Sequence, residues 1–540
     1  MNRKLSDALL ILLLVSIPFF GAFQACDHGS TGPVTPPPNN HAPVAAVTVV
    51  GTSEGPTPLT VTLDASASSD PDGDSIEFKW IFSDGTTAIG PMLEHEFRSS
   101  GRHEVRLIVT DEWGAADDEG PIYVYGWGIA NSPWPKFAHD ERNSGVSPYT
   151  GPMMDLDNAD SGHAFPRYWR GGQENGHIGG VCVGYDNTVV YAQGTWLRAR
   201  SADGTVLWDL DVGDEITAWP AIAYDGSIIV GTAAGRVHRV TQDGAIIWSV
   251  DLVQTIHETV ILDSAVNIDH DRRIYIGGYV LPLGDDLSSC GRLLAFDFDG
   301  TLLWSKVIPF YEHNFSKTRR VYGRLVPAIT LQGNIVVNGR PGQMFSPDGT
   351  QVAQFELYGY PAEPIEPLGP PSVCANGYIT FAHPNIPLFL SDGTYIGPQS
   401  SGGATYNDGP GRSQAPLCDM ESVSIAQVDQ PGPLYLGLTS RTLAGQPCSL
   451  QLDRMPGAAE LIGGTARDEL GRVYVSCNGL YGISPITYSS VYPHVGRYSL
   501  WTYRTIMSVG SSMNHMTAPV IGDDGWLYVG YGDDILAIGN

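Results

Sequence analysis

From Ala42 to about Gly126, apolar and polar positions alternate. Leu59, Val61 and Leu63 are separated by Thr60 and Thr62. Phe78, Trp80 and Phe82 are separated by Lys79 and Ile81, and Val105, Leu107 and Val109 by Arg106 and Ile108. A period of two predicts strands with one buried face. Three clusters supply the turns between them: Asp70-Pro71-Asp72-Gly73-Asp74, Ser83-Asp84-Gly85 and Ser99-Ser100-Gly101. Short strands at this spacing predict an immunoglobulin-like β-sandwich.

Beyond residue 181 a different pattern recurs: a proline, four residues, a turn pair, then a β-rich run. Pro220 leads to Asp225-Gly226 and Ile228-Ile229-Val230. Pro327 leads to Gln332-Gly333, Pro371 to Asn376-Gly377, Pro416 to Glu421-Ser422 and Pro519 to Asp524-Gly525. Copies without the proline start near Val181, Val266 and Thr465, so the starts fall roughly 40–60 residues apart. A second turn sits later in each unit. Asp203-Gly204 precedes Val206-Leu207-Trp208, Asp243-Gly244 precedes Ile246-Ile247-Trp248, and Asp299-Gly300 precedes Leu302-Leu303-Trp304. Asp348-Gly349 and Asp392-Gly393 continue the series. Asp-Gly between apolar runs signals a hairpin with positive φ at both central residues. Two hairpins per unit predict four-stranded blades of a β-propeller. Eight blades are expected, with seven as the alternative. The last unit is short, and the stretch Phe165 to Arg170 is expected to supply its missing outer strand and remove an exposed edge.

The expected architecture is therefore all-β, and the division is residues 1–26, 27–41, 42–126 and 127–540. Residues 1–26 carry Arg3 and Lys4, an apolar stretch from Ala8 to Phe23, and then Ala25 and Cys26. That order is a secretory signal. Its apolar part is shorter than the roughly 20 residues of a membrane span. Ala25-Cys26 resembles a bacterial lipoprotein signal, which implies acylation of Cys26. Phe23 and Gln24 depart from that pattern, and a signal cut near Cys26 with secretion is the alternative. Residues 27–41, with Pro36-Pro37-Pro38, form a linker.

Composition narrows the function. Asp+Glu is 58 against Lys+Arg 30, a net charge of -28. Nucleic acid is excluded as a partner, because phosphate binding needs clustered cations. Gly 64, Pro 39, Trp 12 and Tyr 25 suit turn-rich strands. Besides Cys26 there are six cysteines, enough for three disulfides in an oxidising compartment. Cys418 and Cys448 lie in one repeat and are the expected pair; buried free thiols are the alternative. Asp70, Asp72 and Asp74 put three carboxylates on one turn, a candidate calcium site, with turn chemistry as the structural alternative.

Two resemblances extend the reading. Asp64-Ala65-Ser66, Asp70 to Asp74, Trp80-Ile81-Phe82-Ser83-Asp84-Gly85, His95, Phe97, Gly101 and Val109-Thr110-Asp111 resemble a PKD domain, with Ser83 where the family usually has glycine. This implies an extracellular spacer or interaction module. The repeats, with Trp134-Pro135-Lys136-Phe137-Ala138-His139-Asp140 and Ser144-Gly145 as an entry segment, resemble the PQQ-like (quinoprotein alcohol dehydrogenase-like) propellers. In those dehydrogenases the quinone lies on the propeller axis beneath a disulfide of adjacent cysteines. This chain has no adjacent cysteine pair, which argues against PQQ, and no cofactor is expected. His139-Asp140-Glu141-Arg142 is read as hydrogen bonding that locks the ring, and His257-Glu258 as structural.

The function expected is a non-catalytic, membrane-tethered, extracytoplasmic scaffold whose propeller binds a protein or a glycan. No catalytic residue is assigned. A partial resemblance is to the propeller lipoprotein that scaffolds outer-membrane barrel assembly, which lacks a PKD domain. The alternative is an enzyme: a quinone-dependent dehydrogenase, or a carbohydrate-active hydrolase or lyase with carboxylates scattered among the blades.

Overall fold

The computed structural model describes residues 36–152, 178–280, 290–309, 325–339, 341–356, 369–382, 387–396, 417–418, 422–429, 435–442, 447–454, 464–470, 472–476, 480–483, 500–503, 517–531 and 534–538. The signal segment with Cys26, and the stretch Phe165 to Arg170, lie outside these residues.

The alternating runs become two facing sheets. One contains Thr48–Val50, Leu59–Asp64 and Met92–Phe97. The other runs in the order Glu54–Gly55, Ala116–Gly126, Gly101–Asp111, Ile76–Phe82, Thr87–Ile89. Leu63, Trp80, Val105, Leu107 and Val109 are fully buried between them. Trp80 buries its ring there and still donates Nε1–H to the Gly90 carbonyl at 2.9 Å, so its polar atom is not stranded.

Among the described residues, eight antiparallel sheets follow one another. The first is Ile178–Val183, Val189–Gln193, Trp196–Arg200 and Val206–Asp211. The second is Ala221–Ile222, Ile228–Gly231, Arg236–Val240 and Ile246–Asp251. Later sheets open on Val260–Ile261 with Asn267–Ile268, then Pro327–Ile329, Pro371–Val373, Leu417–Cys418, Gly464–Arg467 and Val520–Ile521. Pro327 and Pro371 thus start innermost strands and Pro220 and Pro519 directly precede theirs, where a missing N–H faces no ladder partner. Val181 and Val183 of the first sheet share one apolar cluster with Val520, Ile521, Leu527 and Val529 of the last. The first and last sheets are neighbours, as a propeller requires.

Turn geometry departs from the expectation. Gly204, Gly244, Gly300 and Gly349 have φ of +88, +85, +88 and +84°, whereas the aspartates before them do not enter the left-handed region. Gly204 N–H donates to Ser201 O at 2.9 Å and Ser201 N–H to Thr205 O at 3.0 Å. The register shifts at Ala199/Arg200. This is a three-residue loop: a type I turn closed by a left-handed glycine and a bulge. The aspartate is chosen for its side chain, since Asp203 Oδ1 accepts from Thr205 N–H at 3.1 Å.

The tryptophans four residues beyond the turn glycines join each of the first three sheets to the next. Trp208 Nε1–H donates to Gln242 O at 2.7 Å, Trp248 to Phe298 O at 3.0 Å and Trp304 to Pro347 O at 2.9 Å. Their rings lie against the next unit's turn. A Cβ at Gly244 would sit 2.7 Å from Trp208, and one at Gly300 2.9 Å from Trp248. Glycine is therefore needed twice over here, for φ and for close approach.

Strand order rules out the Cys418–Cys448 pair. Cys418 faces Val423, Val423 faces Arg441, and Arg441 faces Pro447, so the two cysteines lie three strands apart. That is about 14 Å at the ordinary strand spacing. A disulfide bridges Cα atoms no more than about 7 Å apart.

Candidate functional site

Residues 129–152 run along the inner strands of the ring. Ile129 and Lys136 bridge to Ala223 and Ala221 of the second sheet, and Trp134 to Val183 of the first. Glu141 O accepts from Asn267 Nδ2 and from Ile329 N–H, both at 2.8 Å. Arg142 O accepts from Val373 N–H at 2.8 Å. Ser147 N–H donates to Arg467 O at 2.8 Å, and Arg472 Nη2 to Gly151 O at 2.7 Å. Tyr149 packs on the cluster shared by the first and last sheets. One segment thus touches inner strands or turns of seven of the eight sheets and lines the inner rim of the ring.

Two buried polar residues organise this segment. Lys136 Nζ donates to Phe137 O at 2.8 Å, to Asp140 O at 2.9 Å and to Asn143 Oδ1. Asn143 Nδ2 donates to Pro327 O and Pro371 O, each at 3.1 Å. Asn143 O accepts from Ser372 Oγ at 2.6 Å. Asn143 has φ of +55°, a conformation asparagine tolerates better than most residues. Asp140 takes Ser144 N–H and Oγ–H, both at 2.8 Å, and the Arg142 guanidinium at 2.8 Å. The His139 to Arg142 stretch does lock the ring, but chiefly through the carbonyls of Glu141 and Arg142. The sequence signal missed was Asn143, whose role rests on partners roughly 180 and 230 residues away.

Burial pushes the Lys136 ammonium from about 10.5 down to about 7, with Asp140, Cys182 and Glu141 opposing the shift. The unfolded chain holds this proton to about 10.5, so between about 7 and 10.5 it binds more protons than the folded chain. Unfolding free energy then rises with pH across that window. Lys136→Met removes the slope. The melting temperature of the native chain minus that of the variant is expected to grow from pH 7 to pH 9; a constant difference would contradict this.

On the sandwich, Asp70, Asp72 and Asp74 do come together, with ligand oxygens within 4.8 Å of one another. Asp70 Oδ1 accepts from Asp72 N–H at 2.8 Å and Asp74 N–H at 3.2 Å, which is the turn chemistry. Asp72 accepts from the His41 backbone N–H at 2.6 Å, and the His41 ring lies 3.0 Å from its Oδ1. Asp70 Oδ2 is buried without a hydrogen-bond partner. Desolvation, then the Asp70 and Glu112 charges, pushes the Asp74 carboxyl up. A stranded oxygen and crowded carboxylates fit a hard cation.

The sandwich sits on the ring through an arginine and a group of aromatics. Arg102 N–H donates to Asn131 Oδ1 and to Tyr185 Oη, both at 2.9 Å, and Arg102 O accepts from Asn131 Nδ2 at 2.7 Å. The Arg102 guanidinium lies 4.3 Å from the Tyr185 ring and 4.8 Å from Tyr123. Tyr125 meets Tyr224 edge-on at 6.2 Å, and Arg272 lies 3.9 Å over Trp127. His257 ends the short helix Leu252–Ile256 with φ of +59°, and Glu258 pairs with Arg292 Nε at 2.6 Å, the structural role expected of both.

Two stretches of the chain match known family models. Residues 40–125 match the family model described as PKD domain, and residues 193–349 the one described as outer membrane protein assembly factor BamB. Among solved structures, the PKD1 domain of the Vibrio cholerae metalloprotease PrtV is 30% identical over 16% of this chain and 99% of its own, with a TM-score of 0.14. BamB from Moraxella catarrhalis is 13% identical over 69% and 98% of the two chains, TM-score 0.46. A quinoprotein alcohol dehydrogenase-like protein from Bacteroides thetaiotaomicron is 8% identical over 76% and 97%, TM-score 0.32. Residues 40–125 are thus similar to PKD domains and residues 193–349 to the BamB family, the first on the sandwich and the second within the propeller.

Proposed function

We propose that this chain is a non-catalytic, extracytoplasmic binding or scaffold protein held to a membrane by a lipid on Cys26. The observation that carries the reading is the hub. Residues 129–152 run along the inner rim of the ring and hydrogen-bond to its inner strands, on the side toward the axis where a quinone dehydrogenase seats its cofactor. Binding then falls to the loops and outer surfaces of the sheets. The net charge of -28 favours a cationic partner or one bridged by calcium. The match to an assembly-factor family supports a protein partner in an outer-membrane setting. The PKD domain, seated on the ring, serves as an interaction module of the same body.

The test is cross-linking of the tagged full chain in cells, followed by purification from the membrane fraction. An outer-membrane protein is expected to co-purify, and Cys26→Ser is expected to shift the chain to the soluble fraction. A chain that purifies alone and oxidises alcohols or sugars with added quinone would overturn the reading. Calcium is the candidate ligand of Asp70, Asp72 and Asp74. Calcium at about 1 mM, the upper range for extracellular modules, is expected to raise the melting temperature, and Asp70→Asn to abolish the rise. An equal response in both proteins would contradict the site.

A further inference from the structure

Cys374 is disulfide-bonded. It is fully buried and follows Pro371–Val373, the innermost strand of the fifth sheet. Its N–H and C=O are both engaged in the turn, with Tyr378 O and Gly377 N–H, so the residue is fixed on the inner rim. We propose that its partner is Cys418, and that the bond is a covalent clasp between the inner strands of the fifth and sixth sheets.

Topology carries the assignment. Pro371–Val373 and Leu417–Cys418 are the innermost strands of consecutive sheets and lie in contact. The other cysteines of the described residues are placed elsewhere. Cys182 is a free, buried thiol in the first sheet, and its Sγ–H donates to Pro220 O at 3.2 Å. Cys290 heads the strand Cys290–Phe296 of the third sheet. Cys448 lies on Pro447–Arg454, the outermost strand of the sixth. Cys477 lies outside the described residues. Cys26 is taken by the lipid in the export reading. Among the cysteines of the described residues, only Cys418 shares a rim with Cys374 on an adjoining sheet.

Chemically, the two thiols exchange with a disulfide of a thiol oxidase in the exported compartment. One S–S bond forms between Cys374 and Cys418, the oxidase disulfide is reduced to two thiols, and electrons balance. The oxidant makes the clasp rest on the export reading. Closing a loop of this length restricts the unfolded chain. It also ties two sheets that the tryptophan series joins less regularly, because Asp392-Gly393 is followed by Thr394 and Tyr395 with no tryptophan.

The test uses the full chain exported behind the expression host's own signal peptide, so failure of the native signal cannot be mistaken for failure of the clasp. The protein is alkylated without reduction, digested and examined by mass spectrometry. A cross-linked peptide pair holding Cys374 and Cys418 is expected, with Cys182 alkylated. An alkylated Cys374, or Cys374 joined to any other cysteine, would overturn the proposal. As a second readout, Cys374→Ser, Cys418→Ser and the double variant are expected to lower the melting temperature equally. A further drop in the double variant would contradict a shared bond.

Discussion

Asn143→Ala is expected to destabilise the chain by about 4 kcal/mol, seen as a lower urea midpoint of unfolding. Asn143 is fully buried, and its amide makes three bonds: one from Lys136 and two to the carbonyls of Pro327 and Pro371. Pro327 O keeps a donor in Asn267 Nδ2 at 3.1 Å, whereas alanine leaves Pro371 O without this one. Lys136 loses one of three acceptors in a dry site. A stranded buried group costs about 1–3 kcal/mol, and more when charged. Alanine also tolerates φ of +55° less well than asparagine, which adds roughly 1 kcal/mol. A loss below about 1 kcal/mol would mean that the segment merely covers the hub and does not hold it.

Gly101→Ala is expected to separate the PKD domain from the ring. Gly101 has φ of +102°, and an added Cβ would lie 2.3 Å from the Asn131 backbone nitrogen. Backbone cannot swing aside as a side chain can. Asn131 must move, and its paired bonds to Arg102 N–H and O go with it. The stacking of Arg102 on Tyr185, a contact worth about 0.5–2 kcal/mol, is then lost as well. With the backbone strain the total is about 3 kcal/mol. Calorimetry should show two melting transitions where the native chain gives one, and the radius of gyration in solution should rise. A variant that melts and scatters like the native chain would refute the seam.

Much of the fold was legible because its signals are local. Alternation at Leu59–Leu63 or Val105–Val109 reports one buried face, and the recurring prolines and Asp-Gly turns report the repeat. The turn type was misjudged because Asp-Gly serves two hairpin geometries; the loop length, not the dipeptide, decides between them. The hub was half legible. Residues 134–145 stood out as an entry segment, yet Asn143 draws its role from Pro327 and Pro371, contacts that no local pattern encodes. The cysteine pairing failed for a related reason. Cys418 and Cys448 are near in sequence, but a four-stranded meander puts its first and last strands at opposite edges. Cluster Asp70-Asp72-Asp74 was legible as a turn, and the stranded Asp70 oxygen became visible only in the folded chain.

The central claim is that the propeller's inner rim is lined by its own chain and, as proposed above, that the protein recognises rather than transforms. Calorimetric titration of the full chain with pyrroloquinoline quinone, calcium present, tests it most directly. No heat and no change in quinone absorbance are predicted. Saturable one-to-one binding at micromolar concentration or below would contradict the account, because the quinone would have to displace the segment that Lys136 and Asn143 hold on the inner rim.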